Sequence, residues 1–310
     1  MSGGTRWSSR SVGSRLQHGI FYLLIRLAGR SPAYGLLFFV VLWYTIRPMT
    51  RRRAAAYIAH RFPGAGGLQR LRHCFLMYWT FGRVLVDRAA AGILREFGIS
   101  ASPEDEAALR ALHAEGRGLI LLTGHVGCWQ TSMAGLEILA TQVHVVMHRA
   151  AHDVDRHYFE HAGGKAPFSV IDPAGHLGGS LEMMDALKKG HVLCSMGDRV
   201  MSSDRNTVPV RFLGGDIRVP FGAYRLASLT GAPVVVFFAL RTGPGRATHE
   251  IRRVIRVPEG LGRNGDAYRP YAQEFANALE ELVHVAPYQF FDFYDLWEHK
   301  DPEDGRTTAT

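Results

Sequence analysis

Apolar residues fall along this chain in two rhythms. Short, mainly apolar runs at residues 119–122, 143–147, 191–196 and 234–240 read as buried strands. Between them, apolar positions recur at helical spacing over 128–139, 181–189, 223–229 and, as an amphipathic stretch, 267–284. Punctuation supports this division. Ser102-Pro103-Glu104-Asp105 has the form of a helix start, and Gly190 suits a helix end. Residues 208–212, Gly214-Gly215 and Val219-Pro220-Phe221-Gly222 lead into the 223–229 helix. Gly231-Ala232-Pro233 turns into the strand at 234–240, and 247–256 reads as a further strand. Strands alternating with helices predict an α/β fold: a mixed, mainly parallel sheet flanked by helices.

The first hundred residues have another pattern. Residues 54–98 read as helical, with Leu71, Phe75, Tyr78, Trp79, Phe81, Val84 and Leu85 at roughly helical spacing. Ahead of them, apolar stretches at 19–25 and 31–46 are bounded by arginines, including Arg26, Arg30, Arg47, Arg51, Arg52 and Arg53. The second has 16 residues between charges and contains Pro32 and Gly35. A bilayer span needs about 20 apolar residues. Phe38, Phe39, Trp43 and Tyr44 suit an interface, and the arginines suit anionic headgroups. Residues 19–46 are therefore expected to form helices docked on, or partly inserted into, a cytoplasmic membrane leaflet. No small-residue cleavage site follows. The expected organisation is a helical, membrane-associated region at 1–98, an α/β domain at 99–300 and a polar, disordered tail at 301–310.

Composition narrows the partners. With 47% hydrophobic residues, a sizeable core is expected. A formal charge of +8 favours anionic partners such as a membrane surface or a phosphorylated donor. Nucleic acid is not expected, because no aromatic-interleaved RNA motif, zinc finger or helix-turn-helix is present. Cys74, Cys128 and Cys194 are widely spaced, which argues against disulfides and zinc knuckles and fits a reducing compartment. His144, His148, His152, His157 and His161, with Asp153 and Asp155, raise the question of a metal. His144 and His148 fall in or at the end of a strand, which breaks a shared helical face. The stretch reads as a polar lip, and neither a metal nor a cofactor is expected.

The chemistry concentrates at GLILLTGHVGCWQ, residues 118–130. His125 follows a strand directly and precedes a helix, a position where α/β sheets commonly place chemistry. Asp198-Arg199 also follows a strand directly, so the two are expected to converge. A neutral imidazole, with a pKa of about 6.5, suits proton removal from a hydroxyl or amine. Arg199 suits a phosphate or a developing oxyanion. Cys128, three residues beyond His125, reads as a packing residue rather than a nucleophile.

The spacing His125-x-x-x-x-Gln130 resembles the His-x4-Asp/Glu signature of the glycerolipid and lipid A acyltransferase superfamily, with the acid replaced by its amide. Further blocks resemble that family in order: VVMHRAAHDVDRHYFE, KKGHVLCSMGDRV, VPVRFLGGDIRVPFGAYRLASLTGAPVVV and PYQFFDFYDLW. RHCFLMYWTFGRVLVDR and the arginine-flanked N-terminus look closer to a bacterial offshoot, predicted acyltransferases of the lysophospholipid acyltransferase superfamily. The resemblance implies a transferase that takes an acyl chain from an acyl carrier protein or coenzyme A thioester to a lipid or glycolipid acceptor. It implies His125 as general base, with Gln130 in the acid's place, at the cytoplasmic face of a bacterial inner membrane. Gly124, Trp129, Arg149, Asp198 and Arg199 are the candidate substrate-binding residues. Gln130 can accept a hydrogen bond but supplies no negative charge. That implies slower chemistry, or a carboxylate from elsewhere, for which Asp198 and Glu137 are the candidates. The other reading of Gln130 is a non-catalytic lipid- or acyl-binding protein that kept the fold.

Overall fold

The computed structural model describes residues 14–147, 160, 168–173, 179–200 and 206–297. Four helices come first: α1 (Arg15–Ala28), α2 (Arg30–Ile46), α3 (Pro48–Arg61) and α4 (Gly67–Leu94). The region read as one helical stretch from residue 54 is thus two helices, interrupted after Arg61 by Pro63-Gly64, and the second ends at Leu94. Arg95 then takes a left-handed conformation and starts a new direction.

Seven strands form one sheet: β1 (Gly98–Ala101), β2 (Leu119–Thr123), β3 (Val143–Val146), β4 (Ser169–Ile171), β5 (Val192–Met196), β8 (Val234–Gly243) and β9 (Arg246–Ile255). Their order is β1-β9-β8-β2-β5-β3-β4, and every neighbouring pair is parallel except β8 with β9. A separate antiparallel hairpin joins β6 (Thr207–Phe212) to β7 (Gly215–Pro220). The mixed, mainly parallel sheet expected from the alternation is what the chain forms.

Helices cover both faces: α5 (Pro103–His113) and α6 (Trp129–Ser132) on one side, α7 (Ser180–Lys188), α8 (Gly222–Thr230) and α9 (Arg269–Val285) on the other. Strand pleating divides the core. Ile120 and Leu122 of β2 join Phe238, Tyr224, Phe275 and Leu279 on one face, and Leu119 and Leu121 join Leu109, Met133 and Phe237 on the other. Because β2 is buried on both faces, it reads as an unbroken apolar run. The helix expected over 128–139 is shorter: α6 lasts four residues and gives way to a 3-10 segment, Met133–Leu139.

The N-terminal helices form their own layer. Ile25, Ala33, Leu37 and Val41 pack on Val86, Ala89 and Ala90 of α4. Gly82 permits the closest approach, since a Cβ there would lie 2.6 Å from Leu37 Cδ1. Asp87, 1% exposed, locks this layer to the sheet. It accepts hydrogen bonds from Arg241 Nε of β8 at 2.7 Å, from the Gly245 amide at 3.0 Å and from the Tyr34 hydroxyl of α2. The opposite faces of α1 and α2 leave Leu16, Ile20, Leu23, Leu27, Phe38, Phe39, Leu42, Trp43 and Ile46 exposed. No single helix among the described residues is long and apolar enough to cross a membrane. Only α2 and α3 together pass that test, and they meet at an 85° bend.

Candidate functional site

Sheet register builds the site. β2 and β5 are adjacent and parallel, with Thr123 opposite Met196. Residues two places beyond each strand end therefore stand at the same level, and these are His125 and Asp198. Two contacts draw the loops together. The Gly197 amide donates to the Thr123 carbonyl at 2.8 Å, and the His125 amide donates to Asp198 Oδ2 at 2.8 Å. Gly124 leaves room for this approach, because a Cβ there would lie 3.3 Å from Asp198 Cγ.

The His125 ring completes the pair. Its Nδ1 lies 3.0 Å from both carboxylate oxygens of Asp198. Asp198 is 1% exposed, whereas the imidazole keeps 22% of its side-chain surface open. With Nδ1–H donated to the carboxylate, Nε2 is left as the basic nitrogen. Burial, and then the nearby Arg199 guanidinium, hold the imidazole below its usual pKa against the opposing pull of Asp198. Burial alone would raise Asp198, but the His125 ring, its hydrogen bonds and Arg199 outweigh that and hold the carboxyl below its ordinary range. At neutral pH the pair is therefore a neutral imidazole on an ionised carboxylate.

Of the two carboxylates considered for His125, Asp198 reaches it, and Glu137 is exposed on the 3-10 segment. Gln130 is directed elsewhere: its side-chain oxygen accepts from Arg88 Nη1 of α4. Residue 130 thus ties α6 to α4 and leaves the ring of His125 to Asp198. Sequence spacing could not show this, because Arg88 lies 42 residues away.

Gly127 and residues 289–294 close the back of the site. Gly127 has φ +52°, and a Cβ there would lie 2.1 Å from the Ala239 carbonyl oxygen, which accepts the Cys128 amide at 2.7 Å. Residues 289–291 pair with the His125 turn. Gly127 N–H donates to the Gln289 carbonyl and Phe291 N–H to the His125 carbonyl, each at 2.8 Å, around a Val126–Phe290 bridge. Arg199 Nη2 donates to the Phe291 carbonyl at 2.5 Å, and its guanidinium carbon lies 5.3 Å from the centre of the Tyr294 ring. Arg199 therefore stands beside the pair, held by the C-terminal segment. The PYQFFD run is legible as an aromatic ending, but its role as this wall is not.

The other candidates divide. Trp129 is half-buried and lines a small apolar void with Leu121, Thr123, Met133, Cys194, Phe237 and Ala239. Cys128 is buried, with its thiol pushed up to about 12 by desolvation, so it is no thiolate at neutral pH. Arg149 and most of the histidine-rich stretch lie outside the described residues. His144 is described: its Nε2 lies 3.0 Å from His191 Nδ1, at the opposite end of the sheet from His125. Among the described residues no group of three His, Cys, Asp or Glu side chains stands close enough to hold a metal ion.

The family profile of the bacterial lipid A biosynthesis acyltransferases matches residues 24–299, most of the chain. No individual curated protein matches it significantly.

Proposed function

Since the chain belongs to the bacterial lipid A biosynthesis acyltransferase family, we propose that it moves a fatty acyl chain from a thioester donor to a hydroxyl or amine of a lipid-like acceptor, with His125 as general base. The observation that carries this reading is the His125–Asp198 pair: a partly open, neutral imidazole on a buried carboxylate. His125 Nε2 takes the proton of the acceptor O–H or N–H as that atom attacks the thioester carbonyl. The C–S bond breaks, and the departing thiolate takes the proton back from the imidazolium, leaving an ester or amide and a free thiol. Asp198 fixes the tautomer and stabilises the imidazolium between the two steps. No covalent acyl-enzyme is needed, which agrees with the raised pKa of Cys128. The donor class, carrier protein or coenzyme A, belongs to this proposal, as do Arg149, Arg199, Gly124 and Trp129 as groove residues.

The same proposal places the enzyme on an anionic membrane surface, the cytoplasmic face of a bacterial inner membrane. Charge distribution supports it. Of the 36 lysines and arginines, 13 precede Asp87, all of them arginine, and none of the 28 acidic residues does. The remaining residues carry 23 basic against 28 acidic side chains. The basic segment also holds the exposed apolar faces of α1 and α2, the combination that suits an interfacial helix pair.

One experiment tests both parts. Purified protein is given acyl-CoA or acyl-carrier thioester with bacterial lipid extracts, and new acylated lipid is followed by mass spectrometry beside His125→Ala. A product that vanishes in the variant is expected. An acyl chain that stays bound while no donor yields product or free thiol would instead support a lipid-binding protein, the reading the paired imidazole and carboxylate disfavour. In the same preparations, binding to vesicles should rise with anionic lipid and fall on Leu23→Asp. Binding indifferent to both would remove the membrane part.

A further inference from the structure

Asp292 is a buried carboxyl beside the site that the acyl-transfer scheme does not use. It follows the segment that pairs with the His125 turn, and it is 1% exposed. No hydrogen bond of good geometry reaches either of its oxygens, and the one backbone group that acts on it is the nearby Tyr294 amide, at poorer geometry. Buried polar groups are rarely left in that condition, and an ionised carboxylate least of all. The charged and titratable groups that face it are Arg199 and Asp198 from the end of β5, Tyr57 from α3, and Tyr294 and Asp295 from its own segment. The Arg199 charge thus acts on two acids, and Asp198 is the one with donors at good hydrogen-bond geometry, the amide and ring of His125.

Charge balance follows from that geometry. With a neutral imidazole, Asp198 and Arg199 cancel. An ionised Asp292 would add an uncompensated buried negative charge, and an imidazolium at His125 would cancel it. One proton therefore has two possible seats. We propose that Asp292 is a positioning residue for the base: it keeps this proton as a neutral acid, so that His125 stays unprotonated, and the two side chains titrate as a coupled pair through the shared Arg199. Burial, the largest influence on Asp292, acts in the same sense and holds its carboxyl well above the ordinary carboxylate range. The inference rests on His125 being the base.

The test compares kcat/KM against pH for the full-length wild type and Asp292→Asn, an isosteric side chain that is always neutral. The acid limb from His125 should coincide in the two. The wild type should show a second ionisation on the alkaline side, where Asp292 loses its proton and raises the His125 pKa by about one unit, and the variant should lack it. Superimposed profiles through the alkaline range would overturn the coupling. An acid limb about one unit lower in the variant would show that Asp292 is already ionised, which also overturns it. Carbon-13 NMR of aspartate-labelled wild type needs neither activity nor a folded variant. It should find a carboxyl still protonated at neutral pH, and its absence would overturn the proposal. A protein without transfer activity but with this signal, and with a His125 ring that titrates in step with it, would reject the enzymatic reading and leave the coupling standing.

Discussion

Replacing Asp198 with Asn separates the charge behind His125 from its hydrogen bonds. Asn keeps the size of the side chain and can still accept the His125 amide, but the imidazolium that the proposed transfer would form loses its counter-charge. The Nδ1–oxygen distances of 3.0 Å put the two charge centres about 4 Å apart. At the effective dielectric of about 20 that suits partly buried protein sites, the attraction is worth about 4 kcal/mol. At about 1.4 kcal/mol per tenfold in rate, kcat should fall about a thousandfold, with KM little changed. Gln130→Glu provides the contrast. If residue 130 still acted on the base, restoring an acid there should raise kcat. Gln130 instead meets Arg88, so the new carboxylate should stay on the guanidinium and kcat should change less than about threefold. Release of free thiol from a defined thioester measures both variants on one scale. An Asp198→Asn enzyme within tenfold of wild type, or a Gln130→Glu enzyme tenfold faster, would refute the assignment of the carboxylate.

Three further outcomes follow from packing and burial. Asp87→Ala leaves the Arg241 guanidinium buried without its acid and detaches Tyr34, so chemical denaturation should show a loss of about 3–5 kcal/mol; a loss under 1 kcal/mol would mean the N-terminal layer is held by apolar contacts alone. Cys128→Ala should keep kcat within about threefold, since no thiolate is present to lose, and inactivation would point to covalent catalysis. Gly127→Ala should cost about 2 kcal/mol or more, because its backbone is left-handed and its Cβ would meet the Ala239 carbonyl; a wild-type melting temperature would show that the turn can open without loss.

Legibility of the fold tracked how strongly each element was buried. β2, β5 and β8 are covered on both faces, and their apolar runs announce them. Ser102 accepts the Asp105 amide at 3.0 Å, and Gly190 takes φ +75°, so both punctuation signals act as their chemistry predicts. β1 and β4 lie at the two edges with only four and three residues, too few for a period to emerge. The helix after Cys128 tightens into a 3-10 segment although its apolar spacing is helical throughout, because spacing reports which face is buried and not which hydrogen bonds form. The N-terminal helices illustrate the same limit. Their apolar runs contain both the stripe that packs on α4 and the stripe left exposed, and sequence alone does not apportion them.

The site was legible as an address and not as a set of contacts. Two loops after two strands could be expected to converge, yet strand order is absent from a linear pattern, and only the adjacency of β2 and β5 turns convergence into a bond. That adjacency also explains how an amide at position 130 is compatible with an oriented imidazole. An acid five residues after the histidine must reach back from a helix. An acid two residues beyond the neighbouring parallel strand is already level with the ring, and the sheet's own hydrogen bonds hold it there. With the carboxylate supplied by Asp198, residue 130 need not carry a charge, and its amide serves the contact between α6 and Arg88 of α4. The helix that bears Arg88 also bears Asp87, which fastens α2 to β8. The turn that positions His125 and the layer proposed to meet the membrane are thus joined through two consecutive side chains.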